Sequence, residues 1–195
     1  MTADPVSPLA AWTDRLAALA PAVSVRELPF RSQLTVRASD PDVIRAMGDA
    51  LGVAFPVVAC TFTSGTGRFG DTEVLWLGPD EFLVVAPPGL QGEIEEVSRG
   101  ALGSARGSVV DTSAQRTTAV LEGPHARDVL AHGCSVDLHP SSAPAGTCVQ
   151  TLLARTGVVL QVNGGDRFTV LVRSSFAGYF AAWVADACTE YLAVP

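Results

Sequence analysis

Two periods take turns along the chain, and their order sets the expected architecture. Residues 31–38 alternate, with Leu34 and Val36 on one face, and predict a strand. Ser39 and Asp40 suit a helix N-cap and Pro41 the first helical turn. Val43, Ile44, Met47 and Leu51 then follow at 3-4-7 spacing, and Gly52 offers the stop. Residues 57–63 predict another strand. Residues 73–77 and 82–86 flank Gly78-Pro79-Asp80-Glu81 and read as a hairpin. A helix over 91–102 and a short strand over 108–111 complete this stretch. The pattern then repeats: a strand over 117–121, a helix opened by Gly123-Pro124 and stopped by Gly133, and strands over 148–154, 158–162 and 168–173. The last two are joined by the turn Asn163-Gly164-Gly165-Asp166. A final helix, capped by Ser174 or Ser175, lines up Phe176, Tyr179, Phe180, Trp183, Val184 and Ala187, a stripe that suits a core or a subunit interface.

The segment Leu75-x-Leu77-Gly78-x-Asp80-x-Phe82-x-Val84 returns about 85 residues later as Leu160-x-Val162, a Gly-rich turn, then Asp166-x-Phe168-x-Val170. Strand–helix–strand–hairpin–helix thus occurs twice, far beyond a solenoid period. The expected fold class is α+β: two pseudo-symmetric ferredoxin-like halves, about 31–107 and 108–192, fused into one domain over 31–192. Residues 1–30 read as a leader in which Trp12, Leu16 and Leu19 form a short helix ended by Pro21.

Composition narrows the function. The chain is 48% hydrophobic and 17% charged, where ordinary domains carry about 25% charged residues. A large permanent interface and an enlarged core both account for this. All 13 basic residues are arginines. Without lysine there is no Schiff base for pyridoxal phosphate, no Walker A contact and no Ser-Lys pair. A net charge of −7 without basic runs disfavours nucleic acid. No apolar run reaches the roughly 18 residues of a membrane span, and the first residues lack the pattern of a secretory signal, so a cytoplasmic location is expected. Cys60, Cys134, Cys148 and Cys188 are far apart in sequence and read as buried, reduced thiols.

Candidate chemistry fails on context. Gly65-Thr66-Gly67-Arg68-Phe69-Gly70 fits G-x-G-x-x-G, but an alternating strand follows where a dinucleotide site needs a helix. His125 and His132 are seven residues apart on one helix, with Cys134 and His139 nearby, whereas zinc wants histidines at i, i+4 or close cysteine pairs. No G-x-S-x-G elbow occurs. Asp111-Thr112-Ser113 and Arg116 stand out: an acid, two hydroxyls and a guanidinium on one connection, read either as a hydrogen-bonded turn or as an interface contact. The expectation is therefore no catalytic, cofactor-binding or metal residues in this chain, with Asp111, Arg116 and Trp183 as candidate interface residues.

The run Val110-Asp111-Thr112-Ser113-Ala114-Gln115-Arg116, the stretch from Leu121-Glu122-Gly123-Pro124-His125-Ala126 to Asp137-Leu138-His139-Pro140, the Arg173-Ser174-Ser175-Phe176-Ala177 start and the Trp183 helix resemble the gamma subunits of heterotetrameric sarcosine oxidases. The resemblance covers about residues 25–192. More distantly the chain is similar to the folate-binding domain of aminomethyltransferase, the glycine cleavage T-protein. The resemblance implies that fold and a place beside alpha, beta and delta subunits. It implies oxidative demethylation of sarcosine to glycine, with hydrogen peroxide and methylene-tetrahydrofolate as products. It also implies FAD, FMN, NAD and tetrahydrofolate for the complex, the cofactors lying in the larger subunits, and no catalytic residue here. The alternative is a stand-alone tetrahydrofolate-binding or aminomethyltransferase-like protein, but no acid of this chain matches the folate carboxylate. A folate-dependent iron–sulfur maintenance protein fails at its K-G-C-x-G-Q-E motif, because the only Gly-Cys pair here reads His132-Gly133-Cys134-Ser135.

Overall fold

Asp40 does what its position predicts: its carboxylate accepts from the Asp42 backbone N–H at 2.9 Å, and Pro41 opens α2 (Pro41–Leu51). Gly52 ends α2 at φ 75°, the left-handed turn a glycine makes at least cost. The computed structural model describes residues 4–192. The chain divides by contacts into two compact units, one of residues 30–114 with 146–149, the other of residues up to 29 with 115–145 and 150 onward.

In the 30–114 unit, β2 (Ser32–Ala38), β3 (Phe62–Gly67), β4 (Gly70–Gly78), β5 (Glu81–Ala86) and β6 (Gly107–Asp111) form one sheet in the order β3-β4-β5-β2-β6. α2 and α3 (Gln91–Leu102) complete the unit. Its core joins Leu34, Val36, Met47, Leu51, Val84 and Ile94, all fully buried. The second sheet joins β1 (Ser24–Leu28), β7 (Arg116–Glu122), β8 (Cys148–Leu153, whose first two residues group with the 30–114 unit), β9 (Thr156–Gly164) and β10 (Arg167–Arg173) in the order β1-β7-β10-β9-β8. α1 (Thr13–Ala17), α4 (Ala126–Ala131) and α5 (Ala177–Ala187) belong to the other unit. The Arg127 guanidinium lies 4.9 Å over the Phe168 ring, donates to Gly165 O at 2.9 Å and to Leu138 O, and so ties the polar loop to the hairpin turn.

Read from one edge, each sheet has the same order: β3-β4-β5-β2-β6 matches β8-β9-β10-β7-β1. The fifth strand differs in origin. β6 follows α3 and pairs antiparallel with β2, whereas the equivalent place beside β7 is taken by β1, from the N-terminal segment. Residues 24–28, read from sequence as leader, are thus a sheet strand, and residues 108–111 pair within the preceding unit.

Two further expectations are corrected. The strand expected over 57–63 begins at Phe62; Val57 and Val58 are 94% and 62% exposed, so their apolar character reflects no pairing. Gly65 to Gly70 form the end of β3 and the turn into β4, so the strand expected after the glycine run is present and begins at Gly70. Gly67 is required there because a Cβ would stand 2.5 Å from Leu51 O. Neither Ser174 nor Ser175 caps α5; a 3-10 turn over Ser174–Phe176 leads into it. Among the described residues no helix is long and apolar enough to cross a membrane.

Candidate functional site

The 111–116 connection resolves into two parts. Asp111 ends β6, and its Oδ1 accepts from Ser113 N at 2.9 Å and from Ser113 Oγ at 2.5 Å. Ser113 Oγ in turn accepts from Gln33 N at 2.9 Å, while Thr112 N donates to Gln33 O at 2.8 Å. Thr112 and Thr35 place their hydroxyl oxygens 3.2 Å apart. The acid and hydroxyls therefore fasten the end of β6 to β2, a side-chain-stitched turn. Ser113 Oγ is engaged on both sides, by Asp111 Oδ1 and by Gln33 N. Arg116 begins β7 in the other unit, directly opposite Arg173 of β10. Both arginines line a cavity of about 350 Å³ with Gln150, Thr151 and Val159. No acid is among its lining residues.

Trp183 is half-buried on α5, its indole over Gly133. Its stripe divides: Phe180 and Val184 are fully buried, whereas Phe176 and Tyr179 remain 44% and 39% exposed.

The histidines meet around a residue that no sequence pattern singled out. α4 is only Ala126–Ala131, with His125 before it and His132 after it. The His125 ring stacks on Tyr191 with centroids 4.6 Å apart, and His132 Nε2 lies 2.9 Å from both Tyr191 Oη and Glu190 Oε1. The His132–Tyr191 contact is a hydrogen bond, and the Glu190 carboxylate stands at ion-pair distance from the same ring nitrogen. Partial burial first, then the Glu190 and Asp128 carboxylates, hold the Tyr191 phenol above its usual range. The cluster docks the C-terminal 3-10 turn onto α4. His139 turns elsewhere, its Nδ1 2.7 Å from Ser141 Oγ. Among the described residues no group of three His, Cys, Asp or Glu side chains is placed to hold a metal ion.

The cysteines correct a sequence expectation. Cys148 and Cys188 are buried, Cys134 is half-buried and Cys60 is exposed.

Tetrahydrofolate is a cofactor that the resemblance implies for the complex. A pterin needs flat apolar walls and an acid held out of water against its polar edge. A groove of about 850 Å³ has the walls in Phe55, Trp76 and Phe82, but its acid, Asp49, is exposed, and its Arg45 is paired with Asp42 at 2.7 Å. A second cavity of about 550 Å³ beside His125 and Tyr191 has no acid in its lining. These residues do not fit the group.

The family model for the sarcosine oxidase gamma subunit family matches residues 35–190. The sarcosine oxidase subunit gamma of Corynebacterium sp. (strain P-1) is 38% identical over 178 residues, 89% of this chain and 83% of that protein. That of an Arthrobacter species is 39% identical over 173 residues, 87% and 82% of the two. Among solved structures, a chain of the heterotetrameric sarcosine oxidase from Corynebacterium sp. U-96, in complex with pyrrole 2-carboxylate, superposes with a TM-score of 0.88 at 34% identity, covering 98% of each chain. The glycine cleavage system aminomethyltransferase T from Bartonella henselae gives 0.64 at 16% identity, over 91% of this chain and 49% of that one, a likeness of fold. The α+β class and its relation to the aminomethyltransferase fold agree with the duplicated pattern read from sequence.

Proposed function

The chain belongs to the sarcosine oxidase gamma subunit family, and from that membership we propose that it works as the non-catalytic gamma subunit of a heterotetrameric sarcosine oxidase. One observation carries the reading: the match to a chain of such a tetramer runs over 98% of both chains, leaving little of either outside the shared fold. In this proposal alpha, beta and delta subunits complete a cytoplasmic assembly that converts sarcosine to glycine, releasing hydrogen peroxide and, with tetrahydrofolate, methylene-tetrahydrofolate. FAD, FMN, NAD and folate belong to the partner subunits. This chain supplies a folded surface, which suits the use of Asp111, Ser113 and the histidine cluster in internal hydrogen bonds.

Asp111, Arg116 and Trp183 enter the proposal as contact candidates. Arg173, exposed beside Arg116 at the same cavity, presents a guanidinium group to an acidic side chain of a partner. The Trp183 helix adds the exposed rings of Phe176 and Tyr179.

Co-expression with the partner chains tests the reading. The chain is expected to purify in a flavin-containing assembly at one copy per complex, and Arg173→Glu is expected to weaken retention while leaving the melting temperature of the chain unchanged. Purification as a free monomer that turns over an aminomethyl donor overturns the proposal.

A further inference from the structure

We propose that Cys60 and Cys148 form a reversible disulfide pair, in which exposed Cys60 reacts with a hydroperoxide and buried Cys148 resolves it. The two cysteines are 88 residues apart in sequence and opposite each other in the 30–114 unit. Thr61 and Thr147 form an antiparallel bridge. Cys148 N donates to Cys60 O at 2.8 Å on one side of it, and Phe62 N donates to Gly146 O at 3.2 Å on the other. These two bonds fix the register, so that position 60 faces position 148. Residues directly opposite at a hydrogen-bonded site have Cα atoms about 5.5 Å apart, inside the window of about 4.4–6.8 Å that a disulfide bridges.

The two thiols also influence each other. Burial pushes the Cys148 thiol up to about 12, and the next contributions are Cys60 and then Glu73. Cys60 itself sits at φ 58°, in the left-handed region that residues other than glycine seldom adopt. The turn that holds it there is closed by Thr61 Oγ1 donating to Val58 O at 2.7 Å. Strained, exposed and facing a buried thiol, Cys60 is the one positioned to meet an oxidant from solvent. Cys148 has no such access and reacts only with what Cys60 becomes.

The chemistry balances in two steps. The Cys60 thiolate attacks one peroxide oxygen, the O–O bond breaks, and the leaving hydroxide takes a proton to become water, giving Cys60 sulfenic acid. The Cys148 thiol then attacks Cys60 Sγ, passing its proton to the departing hydroxyl as it does so. The S–O bond breaks, the S–S bond forms, and hydroxide leaves with the proton Cys148 gave up, as a second water. Two thiols are oxidised and one hydroperoxide is reduced. Hydrogen peroxide is the oxidant the proposed assembly releases, but the pair's reaction with added peroxide stands without that reading.

The experiment treats the reduced full-length chain with a small excess of hydrogen peroxide and counts thiols after denaturation. Two of the four are expected to disappear and to return with dithiothreitol. Trypsin cuts after Arg45, Arg68, Arg127 and Arg155, so the bridge appears as peptide 46–68 linked to 128–155, and the same link in Cys134→Ser assigns it to Cys148. Cys60→Ser, a change at an exposed position, is expected to keep all three remaining thiols. Cys148→Ser is expected to leave Cys60 as a sulfenic acid that dimedone traps. Oxidation of Cys60 to a sulfinic acid with Cys148 still free, or thiol loss undiminished in Cys60→Ser, overturns the inference.

Discussion

The Trp183 indole rests on Gly133 so closely that a Cβ there would stand 2.6 Å from its Cζ2 and 3.0 Å from the Ala154 backbone nitrogen. Gly133 O also accepts from Ala154 N at 2.8 Å, so the backbone has no room to retreat. Gly133→Ala must therefore displace the indole or break that bond. It is expected to destabilise the chain by about 1–3 kcal/mol, the usual range for overpacking. Gly133→Ala/Trp183→Leu, with a smaller side chain above the new methyl, is expected to recover part of the loss in chemical denaturation.

Ser32 is a buried hydroxyl that starts a helix on another element. Its Oγ accepts from Leu90 N at 2.9 Å and lies 2.8 Å from Pro87 O and 3.1 Å from Gln91 Oε1, at the N-terminus of α3. Ser32→Ala leaves a helix-entry N–H and a carbonyl without that partner in a dry site. The expected cost is about 1–3 kcal/mol, and a melting point lowered by about 2–4 °C per kcal/mol in a chain of this size. Ser32→Thr, which keeps the hydroxyl, is expected to lose less.

What the sequence disclosed and what it hid follow the distance over which each feature is determined. The Gly78 and Asn163-Gly164 hairpins and the α2 caps depend on neighbours within a few residues, so turn chemistry and period two found them. β1 has five residues, of which only Val25 is buried, and its partner β7 lies more than 90 positions on, so nothing local marked it. The apolar run at 57–63 misled in the opposite direction, because Val57 and Val58 have strand composition and no strand beside them. The 111–116 stretch was found by residue type, but only the register of β6 with β2 shows that Ser113 answers to Gln33. Tyr191 between two histidines, and Cys60 facing Cys148, are encounters between distant segments with no motif to announce them.

Glu27 pins the N-terminal segment. Its carboxylate accepts from Ser7 Oγ at 2.6 Å, from Leu9 N at 3.3 Å and from Thr117 Oγ1. Leu9 is buried beside it, while Arg15 is exposed. Glu27→Ala removes hydrogen bonds to a charged acceptor, each worth about 1.5–3 kcal/mol, and local opening rises about tenfold for every 1.4 kcal/mol. Limited trypsin digestion is expected to cleave after Arg15 at least about tenfold faster than in the parent chain, with the 30–114 unit unaffected. Equal cleavage rates would show that Leu9 burial alone holds the segment.

Asp137 gives the polar loop after α4 a dependence on acid. Ser142 Oγ donates to its Oδ2 at 2.6 Å and His139 N to its Oδ1 at 2.9 Å. The Ser142 bond first, then the His139 backbone bond, hold its carboxyl below the usual range against a small opposing effect of burial, with the His139 side chain adding a minor pull in the same direction. A carboxyl depressed in the folded state binds its proton more readily once unfolded. Its stabilisation is therefore complete above the unfolded value of about 3.9 and fades as the pH falls toward the lower folded value. Asp137→Asn keeps one oxygen acceptor and loses the titration. The urea-midpoint difference between the parent chain and this variant is expected to be flat above about pH 5 and to shrink as the pH is lowered through about 4. A difference that stays constant across that range would mean that the loop holds its shape without the charge.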